Sequence, residues 1–316
     1  MLPLNTVHKI KRPWMSQAIV DPAELRRFAH QLSQFNAELE DELGVIIFNR
    51  KKKPIQLTSI GEKLVEQARI IVDESQRITD IVDQQKGYIG GEFKLGIIPT
   101  VMPTLLPLFL KTYIKKYNTV NLIIEEHTTE EIIKKLNEGS IDAAIAATPL
   151  ENETIKERVL YYEPFVGYVA EEHRLYEKEK LLVNDLDIDD ILLLDDGHCF
   201  KENILNLCGS TNNQDKSNFS LRSGSFDTLI KLSKEGLGMT LLPFLQTLDL
   251  SEKDKKHLRD FEKPVPAREI SLLYHKSQLK MQLIESLKTT IDSVIRGVIA
   301  FSDVKIISPL QYKNKA

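Results

Sequence analysis

The chain reads FKLGII at residues 93–98, VNLII at residues 120–124 and IDAAI at residues 141–145, and these three apolar stretches decide its fold. Each has the length and composition of a buried strand. Between them, apolar residues recur every three or four positions at residues 105–113 and 129–137, which predicts helices. Strand and helix in this alternation predict right-handed crossovers and a parallel sheet.

The same alternation continues further along the chain. Strands are predicted at residues 165–170, 191–194, 219–222 and 270–274, and helices at residues 199–208, 226–235 and 281–296. A strand that returns late in the chain suggests two α/β lobes with a cleft between them. Ligands bind such sheets beyond the carboxyl ends of the strands. Thr100 and Thr129 fall there, although threonines at helix starts also serve as N-caps.

Length, charge and cysteine content limit the class of protein. A chain of 316 residues can hold two or three domains, and its net charge of −4 does not indicate a nucleic-acid partner. The charge is uneven, because residues 1–56 carry +3 and the rest −7. Two cysteines do not make a disulfide scaffold and favour a reducing cytoplasm. No signal-peptide core or span of about 18 apolar residues is seen, so we expect a cytoplasmic protein without a membrane partner.

The two cysteines, Cys199 and Cys208, lie nine residues apart. On a continuous helix this step turns about 900° and places them roughly 13 Å apart on opposite faces. A disulfide needs Cα atoms within about 7 Å of each other. If the pair bonds, the intervening segment has to refold, so oxidation and conformation change together, as a redox switch requires.

A structural role for the cysteines is the alternative. Phe200, Ile204, Leu207 and Cys208 follow the spacing of one apolar helical face, and free cysteine is among the most buried residue types. Cys199 differs because it precedes this pattern. A helix N-terminus and a neighbouring imidazole can lower a thiol pKa below its usual value of about 8.5.

A separate helix is predicted ahead of these lobes. Ser59 and Glu62 fit a capping box. A heptad seam then follows at Leu64, Ala68, Ile71, Ser75, Ile78 and Val82. The helix is bounded by Gly87 and the pair Gly90-Gly91, so it is typical of a dimerising connector, or of a helix packed on its own domain. The basic stretch at residues 50–54 suits a solvated loop or a phosphate-contacting wing.

The segments around this helix resemble a known family. The stretches LEDELGV at 39–45, FNR at 48–50 and LTSIG at 57–61 resemble the end of the winged helix-turn-helix of LysR-type transcription regulators. Within that family, the peroxide-sensing members are the most similar. The segments that carry this resemblance are GIIPTV at 96–101, LLP at 105–107, LDDGHC at 194–199 with Cys208, LLP at 241–243 and REI at 268–270.

The resemblance implies a three-part organisation. It predicts a winged helix-turn-helix over residues 1–58, of which 1–35 depart from the family pattern, a dimerising linker helix and hinge over 59–90, and a two-lobed, periplasmic-binding-protein-like α/β sensor domain over 91–316. Lobe I would comprise about 91–163 and 268–300, and lobe II about 164–267. The residues expected to contact DNA are Ser33, Arg50, Lys51, Lys52 and Lys53.

The resemblance also implies a mechanism. Cys199 would be the peroxidatic thiolate and Cys208 the resolving thiol, and thioredoxin or glutaredoxin would reduce their disulfide. Peroxide binding is assigned to Thr100, Thr129, His198 and Arg268. The implied partners are double-stranded DNA, hydrogen peroxide, RNA polymerase and further copies of the chain in a dimer or tetramer.

This resemblance implies a transcription activator, not an enzyme, and no cofactor. A zinc site is disfavoured, because the cysteine spacing lacks the paired ligands of zinc motifs. Two alternatives stay open at this point. One is a thiol peroxidase-like scavenger, which would turn over rapidly with a reductant. The other is a LysR-type regulator that senses an organic metabolite.

Overall fold

The computed structural model describes residues 22–65, 67–68, 71, 78, 82, 89–194, 199–208, 225–299 and 304–309. Side chains are described from residue 33 onward, except that of Cys199. The chain divides into two compact units, Met1–Gln76 and Arg77–Ala316. The strand predicted at residues 219–222 lies outside the described residues, and so do His198 and Ser75.

The N-terminal unit contains a β-hairpin between two helices. Its elements are α1 (Pro22–Leu43), β1 (Phe48–Asn49), β2 (Gln56–Leu57) and α2, which begins at Ser59. The carboxylate of Glu40 joins α1 to the hairpin by accepting the backbone N–H groups of Ile47 and Phe48, at 2.6 and 2.9 Å. The hydrogen bond from Phe48 is the main cause that lowers the pKa of Glu40, so this carboxylate is ionised at neutral pH.

The start of α2 differs from the prediction. The hydroxyl of Thr58 accepts the backbone N–H of Gly61 at 3.0 Å and donates to the Ile46 carbonyl at 2.6 Å. Thr58 is therefore the N-cap, and the capping box predicted for Ser59 and Glu62 is wrong. The reason is that the chain is already helical at Ser59, whereas an N-cap residue has extended dihedral angles.

Three apolar residues of the predicted seam are described, and all three are accessible. Ile71, Ile78 and Val82 are helical and are 63, 62 and 44% exposed. Side chains of this kind at heptad positions are typical of a helix that pairs with a second helix. Dimerisation through α2 stays a prediction.

The second unit is built on one mixed sheet. Its strands are β3 (Gly91–Ile97), β4 (Val120–Glu126), β5 (Ala143–Thr148), β6 (Ile155–Tyr168), β7 (Lys180–Leu181), β8 (Thr240–Pro243), β9 (Leu258–Phe261), β10 (Val265–His275) and β11 (Val304–Ile306). Its helices are α3 (Met102–Lys116), α4 (Thr129–Asn137), α5 (Cys199–Cys208), α6 (Phe226–Lys234), α7 (Phe244–Thr247), α8 (Glu252–Lys255) and α9 (Met281–Ile295). Among the described residues, no helix is long and apolar enough to cross a membrane.

The strand pairing confirms part of the predicted sheet. The order is β4-β3-β5-β10-β6-β9-β7, with β8 paired to β6 and β11 to β10. Strand β3 is parallel to β4 and β5, as predicted. However, β10 is antiparallel to both β5 and β6, so the sheet as a whole is mixed. The predicted late return of the chain is this strand, β10, which is antiparallel to β6, as β8 and β9 also are.

Two apolar clusters give this unit its two-lobed character. The first surrounds β3 to β5 and includes Leu95, Phe109 and Leu272. The second surrounds α5, α6 and β8 and includes Phe200 and Leu229. The long strands β6 and β10 contribute side chains to both clusters. Two cores joined by two long strands agree with a two-lobed α/β sensor domain.

One strand prediction is wrong. Residues 191–194 form no strand, and Ile191 makes only an isolated bridge with Met239. Gly238, which precedes Met239, has a φ of +136° and lies so close to the Asp190 carbonyl that a Cβ would approach its oxygen to 2.6 Å. The apolar residues of this segment are buried in the second core, which explains why they resemble a strand in sequence.

Candidate redox site

The two cysteines lie at the ends of one helix. Helix α5 begins at Cys199 and ends at Cys208, which confirms the predicted helix. Nine residues at about 1.5 Å per residue separate its ends by roughly 13 Å, which is too far for a disulfide. The thiol of Cys208 is free and half-buried. The described helix is therefore incompatible with a Cys199–Cys208 disulfide, whose formation requires α5 to unwind.

The two ends of α5 are held in different surroundings. The pKa of the Cys208 thiol is raised to about 11, mainly by burial and also by the carboxylates of Asp187 and Asp190. This thiol is consequently protonated at neutral pH. The side chains of Cys199 and His198 lie outside the described part of the chain, so their predicted roles stay predictions.

The first turn of α5 is anchored by aromatic packing. Phe200 is completely buried, and its ring meets those of Phe165 and Phe226 edge to face, at centroid distances of 5.4 and 5.1 Å. Ile204 and Leu207 are buried on the same helical face, as predicted. This face fixes the helix on the second core.

A buried arginine lies beside this first turn. Arg268 on β10 has no exposed surface, and its guanidinium carbon is 5.1 Å from the centre of the Phe200 ring. Phe200 directly follows Cys199 in the sequence, so the guanidinium packs on the neighbour of the residue predicted to react. The structure thus places Arg268 beside the start of α5.

The charge of Arg268 is balanced by a residue that was not predicted from the sequence. The Glu163 carboxylate on β6 is 1% exposed and accepts two hydrogen bonds from the guanidinium, at 2.9 and 2.7 Å. It also accepts the backbone N–H of Leu245 at 3.0 Å. The signal in the sequence was a single carboxylate within an otherwise apolar part of the strand around residues 161–168.

Thr100 belongs to the same cluster. Its hydroxyl oxygen and its carbonyl oxygen accept from Arg268, at 2.9 and 3.0 Å. The N-cap position of α3 is Val101, so the alternative role of Thr100 as a helix cap is wrong. The described hydrogen bonds use four of the five guanidinium N–H groups. One N–H therefore has no partner within the described residues and can donate to a bound ligand.

Thr129 lies at the same edge of the sheet as Thr100. No contact among the described residues joins it to the cluster of Arg268, Glu163 and Thr100. Thr128 caps α4 in a capping box with Glu131, so the capping role considered for Thr129 belongs to its neighbour. The hydroxyl of Thr129 is buried and has no hydrogen-bond partner among the described residues. Since β3 and β4 are parallel neighbours, Thr100 and Thr129 follow the ends of adjacent strands.

The residues predicted to contact DNA lie in the N-terminal unit. Ser33 on α1 is exposed, and Lys51 and Lys53 are exposed between β1 and β2. Arg50 pairs with Glu40 at 2.8 Å but keeps half of its side chain exposed. The ammonium of Lys52 donates to Gln56 at 2.9 Å. The described residues contain no cluster of side chains suited to a metal ion.

Comparison with known proteins agrees with this architecture. The model of the LysR substrate binding domain matches residues 86–294. The chain is 31% identical over 260 residues to the hydrogen peroxide-inducible genes activator of Pectobacterium carotovorum subsp. carotovorum, covering 82% of this chain and 85% of that protein. It is 30% identical over 259 residues to the DNA-binding transcriptional dual regulator OxyR of Escherichia coli K12, covering 81 and 84%.

A solved structure extends the similarity. It is a hydrogen peroxide-bound cysteine mutant of Corynebacterium glutamicum OxyR, which is 28% identical and superposes with a TM-score of 0.64 over 87% of this chain and 89% of that one. The family match covers the two cores, the cysteine helix and the buried arginine. This chain therefore belongs to the LysR family of transcription regulators.

Proposed function

We propose that this protein is a transcription regulator that senses hydrogen peroxide through a thiol–disulfide switch between Cys199 and Cys208. The observation that carries the proposal is the buried Arg268, held beside the first turn of a helix that has a cysteine at each end. A cation at that place favours a thiolate and the anionic transition state of its oxidation. The relatives named as peroxide-inducible activators support the same function.

The proposed reaction balances without a cofactor. The Cys199 thiolate attacks one peroxide oxygen, so that an S–O bond forms, the O–O bond breaks and the leaving hydroxide takes up a proton as water. The Cys208 sulfur then attacks the sulfenic acid, an S–S bond forms and a second water leaves. Thioredoxin or glutaredoxin restores the two thiols by disulfide exchange.

Four residues are proposed to bind peroxide. Thr100 offers its hydroxyl and Arg268 one remaining N–H group, and these two are in direct contact. The buried hydroxyl of Thr129 is available for a ligand within the described residues. We assign His198 to the same site because it neighbours Cys199 in the sequence.

The switch acts through the shape of α5. The ends of this helix are roughly 13 Å apart, so the disulfide forms only after the helix unwinds. We propose that this refolding changes the packing of subunits in a dimer or tetramer joined through the exposed seam of α2. The change would then alter how the N-terminal unit binds double-stranded DNA and recruits RNA polymerase in the cytoplasm.

The proposed organisation follows the family. Residues 1–58 form the winged helix-turn-helix, 59–90 the linker helix and hinge, and 91–316 the sensor domain, with lobe I at about 91–163 and 268–300 and lobe II at about 164–267. The exposed hairpin between β1 and β2 supports the assignment of a wing. It carries Arg50 and Lys51–Lys53, which would contact phosphates, and Ser33 would lie on the DNA-facing helix.

The test is to mix the reduced protein with stoichiometric hydrogen peroxide and follow free thiols in time, with mass spectrometry to locate the products. We expect fast loss of both thiols and a Cys199–Cys208 disulfide. Cys199→Ser should abolish the fast reaction, and the matched Cys208→Ser should stop it at a sulfenic acid.

Other outcomes identify the alternatives. Thiol loss at the pace of an ordinary exposed cysteine would contradict peroxide sensing and favour a regulator that binds a metabolite. Repeated rapid turnover with thioredoxin, in place of one oxidation per chain, would favour a scavenging peroxidase.

A further inference from the structure

The C-terminal strand β11 pairs with the strand that carries Arg268. Ile306 lies opposite Ala267 in a parallel pairing, and the backbone N–H of Ile307 donates to the Ala267 carbonyl at 2.8 Å. Strand β6 occupies the other edge of β10, and β5 pairs with β10 only from Glu269 onward. Along this edge of β10, the residues before Arg268 therefore pair with β11 and the residues after it pair with β5.

The same terminal segment is tied to the cysteine helix by two asparagines. The side-chain amide of Asn203 is fully buried and donates to the Ile307 carbonyl at 2.7 Å. The amide of Asn206 donates to the Ser308 carbonyl at 2.8 Å. Residues three apart lie on one helical face, so both bonds require α5 to be helical. The Ile307 side chain is 6% exposed and belongs to the same core as Phe200.

These contacts connect the terminal segment with the state of the cysteine pair. Asn203 and Asn206 both lie between Cys199 and Cys208, in the segment that has to unwind before a disulfide can form. Unwinding separates the two amides from the carbonyls that they bind. A buried carbonyl left without its donor is costly, so the terminal segment opposes unwinding.

We infer that Asn203 is a positioning residue for the cysteine pair, which acts with the segment 304–309 to favour the helical dithiol over the disulfide. The inference rests on the proposed function, since it concerns the same disulfide. Formation of this disulfide releases the terminal segment from α5. Asn203 therefore helps to set the reduction potential of the Cys199–Cys208 couple.

The first test compares Asn203→Leu, which keeps the shape of the side chain but removes its N–H donors, with the unchanged protein. The thiols are titrated with glutathione buffers, so that peroxide chemistry is not needed. We expect the equilibrium to move about tenfold toward the disulfide, because a buried hydrogen bond of the dithiol state is lost. For a two-electron couple this is a potential about 30 mV more negative.

The control is Asn121→Leu, on an exposed position of β4, and its potential should not change. A second variant ends the chain after residue 303 and leaves the sequence of α5 intact; it should shift the equilibrium in the same direction. If both variants only lower the melting temperature and leave the potential unchanged, Asn203 has a structural role alone and the inference is wrong.

Hydrogen exchange on the natural sequence provides a test that does not depend on folded variants. The disulfide is formed with diamide, so that a failure of peroxide sensing does not affect the result. We expect the amides of residues 304–309 and of α5 to exchange faster in the disulfide form than in the dithiol form. Equal exchange of the terminal segment in the two forms would overturn the inference, and so would a failure of diamide to join the cysteines.

Discussion

The two ends of helix α5 carry the same residue type and lie beside different charged groups. At its start, Phe200 packs against the guanidinium of Arg268. At its end, the carboxylates of Asp187 and Asp190 add to the burial that raises the pKa of Cys208 to about 11. A nearby cation favours a thiolate, whereas a nearby anion and burial favour the neutral thiol.

In the proposed switch, this difference gives two cysteines on one helix different roles. The start of the helix would carry the thiolate that attacks peroxide. The end would carry a thiol that stays protonated, and hence unreactive, until unwinding moves it out of its buried place. The helix itself keeps the two sulfur atoms apart in the meantime. Substitutions near either end of α5 should change the surroundings of one cysteine and leave those of the other unchanged.

Replacing Arg268 with methionine should have the largest effect. It leaves the buried carboxylate of Glu163 without its partner, so we expect the free energy of unfolding to fall by about 3–5 kcal/mol in urea titrations. We also expect the rate of peroxide-dependent thiol loss to fall roughly a hundredfold, as when one preorganised donor is removed from an active site.

A matched arginine provides the control. Arg158 pairs with Glu285 at 2.6 Å, but both side chains are partly exposed, so Arg158→Met should cost less than about 1 kcal/mol and leave the peroxide rate unchanged. The double variant Arg268→Met with Glu163→Leu should regain most of the stability but not the rate. Equal effects of the two single substitutions would contradict a special role for the buried pair.

The contrast between the helix ends could be predicted from the sequence only in part. The spacing of apolar residues predicted β3, β4, α4, α5 and α9 with bounds close to those observed. The prediction succeeded because these elements show themselves in local sequence spacing. The helix of the cysteine segment, and hence the need to unwind it, followed from the same spacing. Residues 191–194 were wrongly predicted as a strand, because an apolar run shows burial but does not show that a partner strand exists.

The buried pair could not be predicted in this way. Glu163 and Arg268 are 105 residues apart and become neighbours only through the antiparallel register of β6 and β10. Nothing in the local pattern of either strand identifies the other. The prediction that Ser59 caps α2 was wrong for a different reason. The neighbouring hydroxyl residues at 58 and 59 both suit an N-cap, and the backbone decides between them.

Replacing Phe200 with leucine should have an intermediate effect. The substitution nearly conserves volume but removes two edge-to-face contacts and the ring under the guanidinium, so we expect a loss of about 1–2 kcal/mol in stability. We expect the peroxide rate to fall several-fold, because Arg268 loses the surface that holds it beside α5. Stopped-flow measurement of thiol loss gives this rate.

The control for this substitution is Phe226→Leu. Phe226 packs on Phe200 at 5.1 Å, so its replacement removes an aromatic contact while the Phe200 ring stays over the guanidinium. Its stability loss should be similar and its peroxide rate close to that of the unchanged protein. If both variants lose stability and peroxide rate to the same extent, the packing of α5, and not the position of Arg268, limits the reaction.

Replacing Asp187 with asparagine should have the smallest effect, at the other end of α5. Removing this carboxylate lowers the pKa of Cys208, but burial, the larger cause, remains. In a Cys199→Ser background, we expect alkylation of Cys208 at pH 8 to become roughly two- to fivefold faster, since only the thiolate reacts. Asp189→Asn makes the same charge change nearby and should leave the rate unaltered, because its carboxylate is not a cause of the shift.

The same pKa gives a stability test with a definite sign. The pKa of Cys208 is higher in the folded protein, about 11, than the value of about 8.5 expected for an unfolded chain. Its contribution to stability is therefore complete below about pH 8.5 and is lost as the pH rises toward 11. Unfolding free energies of the unchanged protein should fall more steeply over this interval than those of Cys208→Ser, and Asp187→Asn should lie between them. Parallel curves would mean that the end of α5 does not hold its thiol in the neutral form.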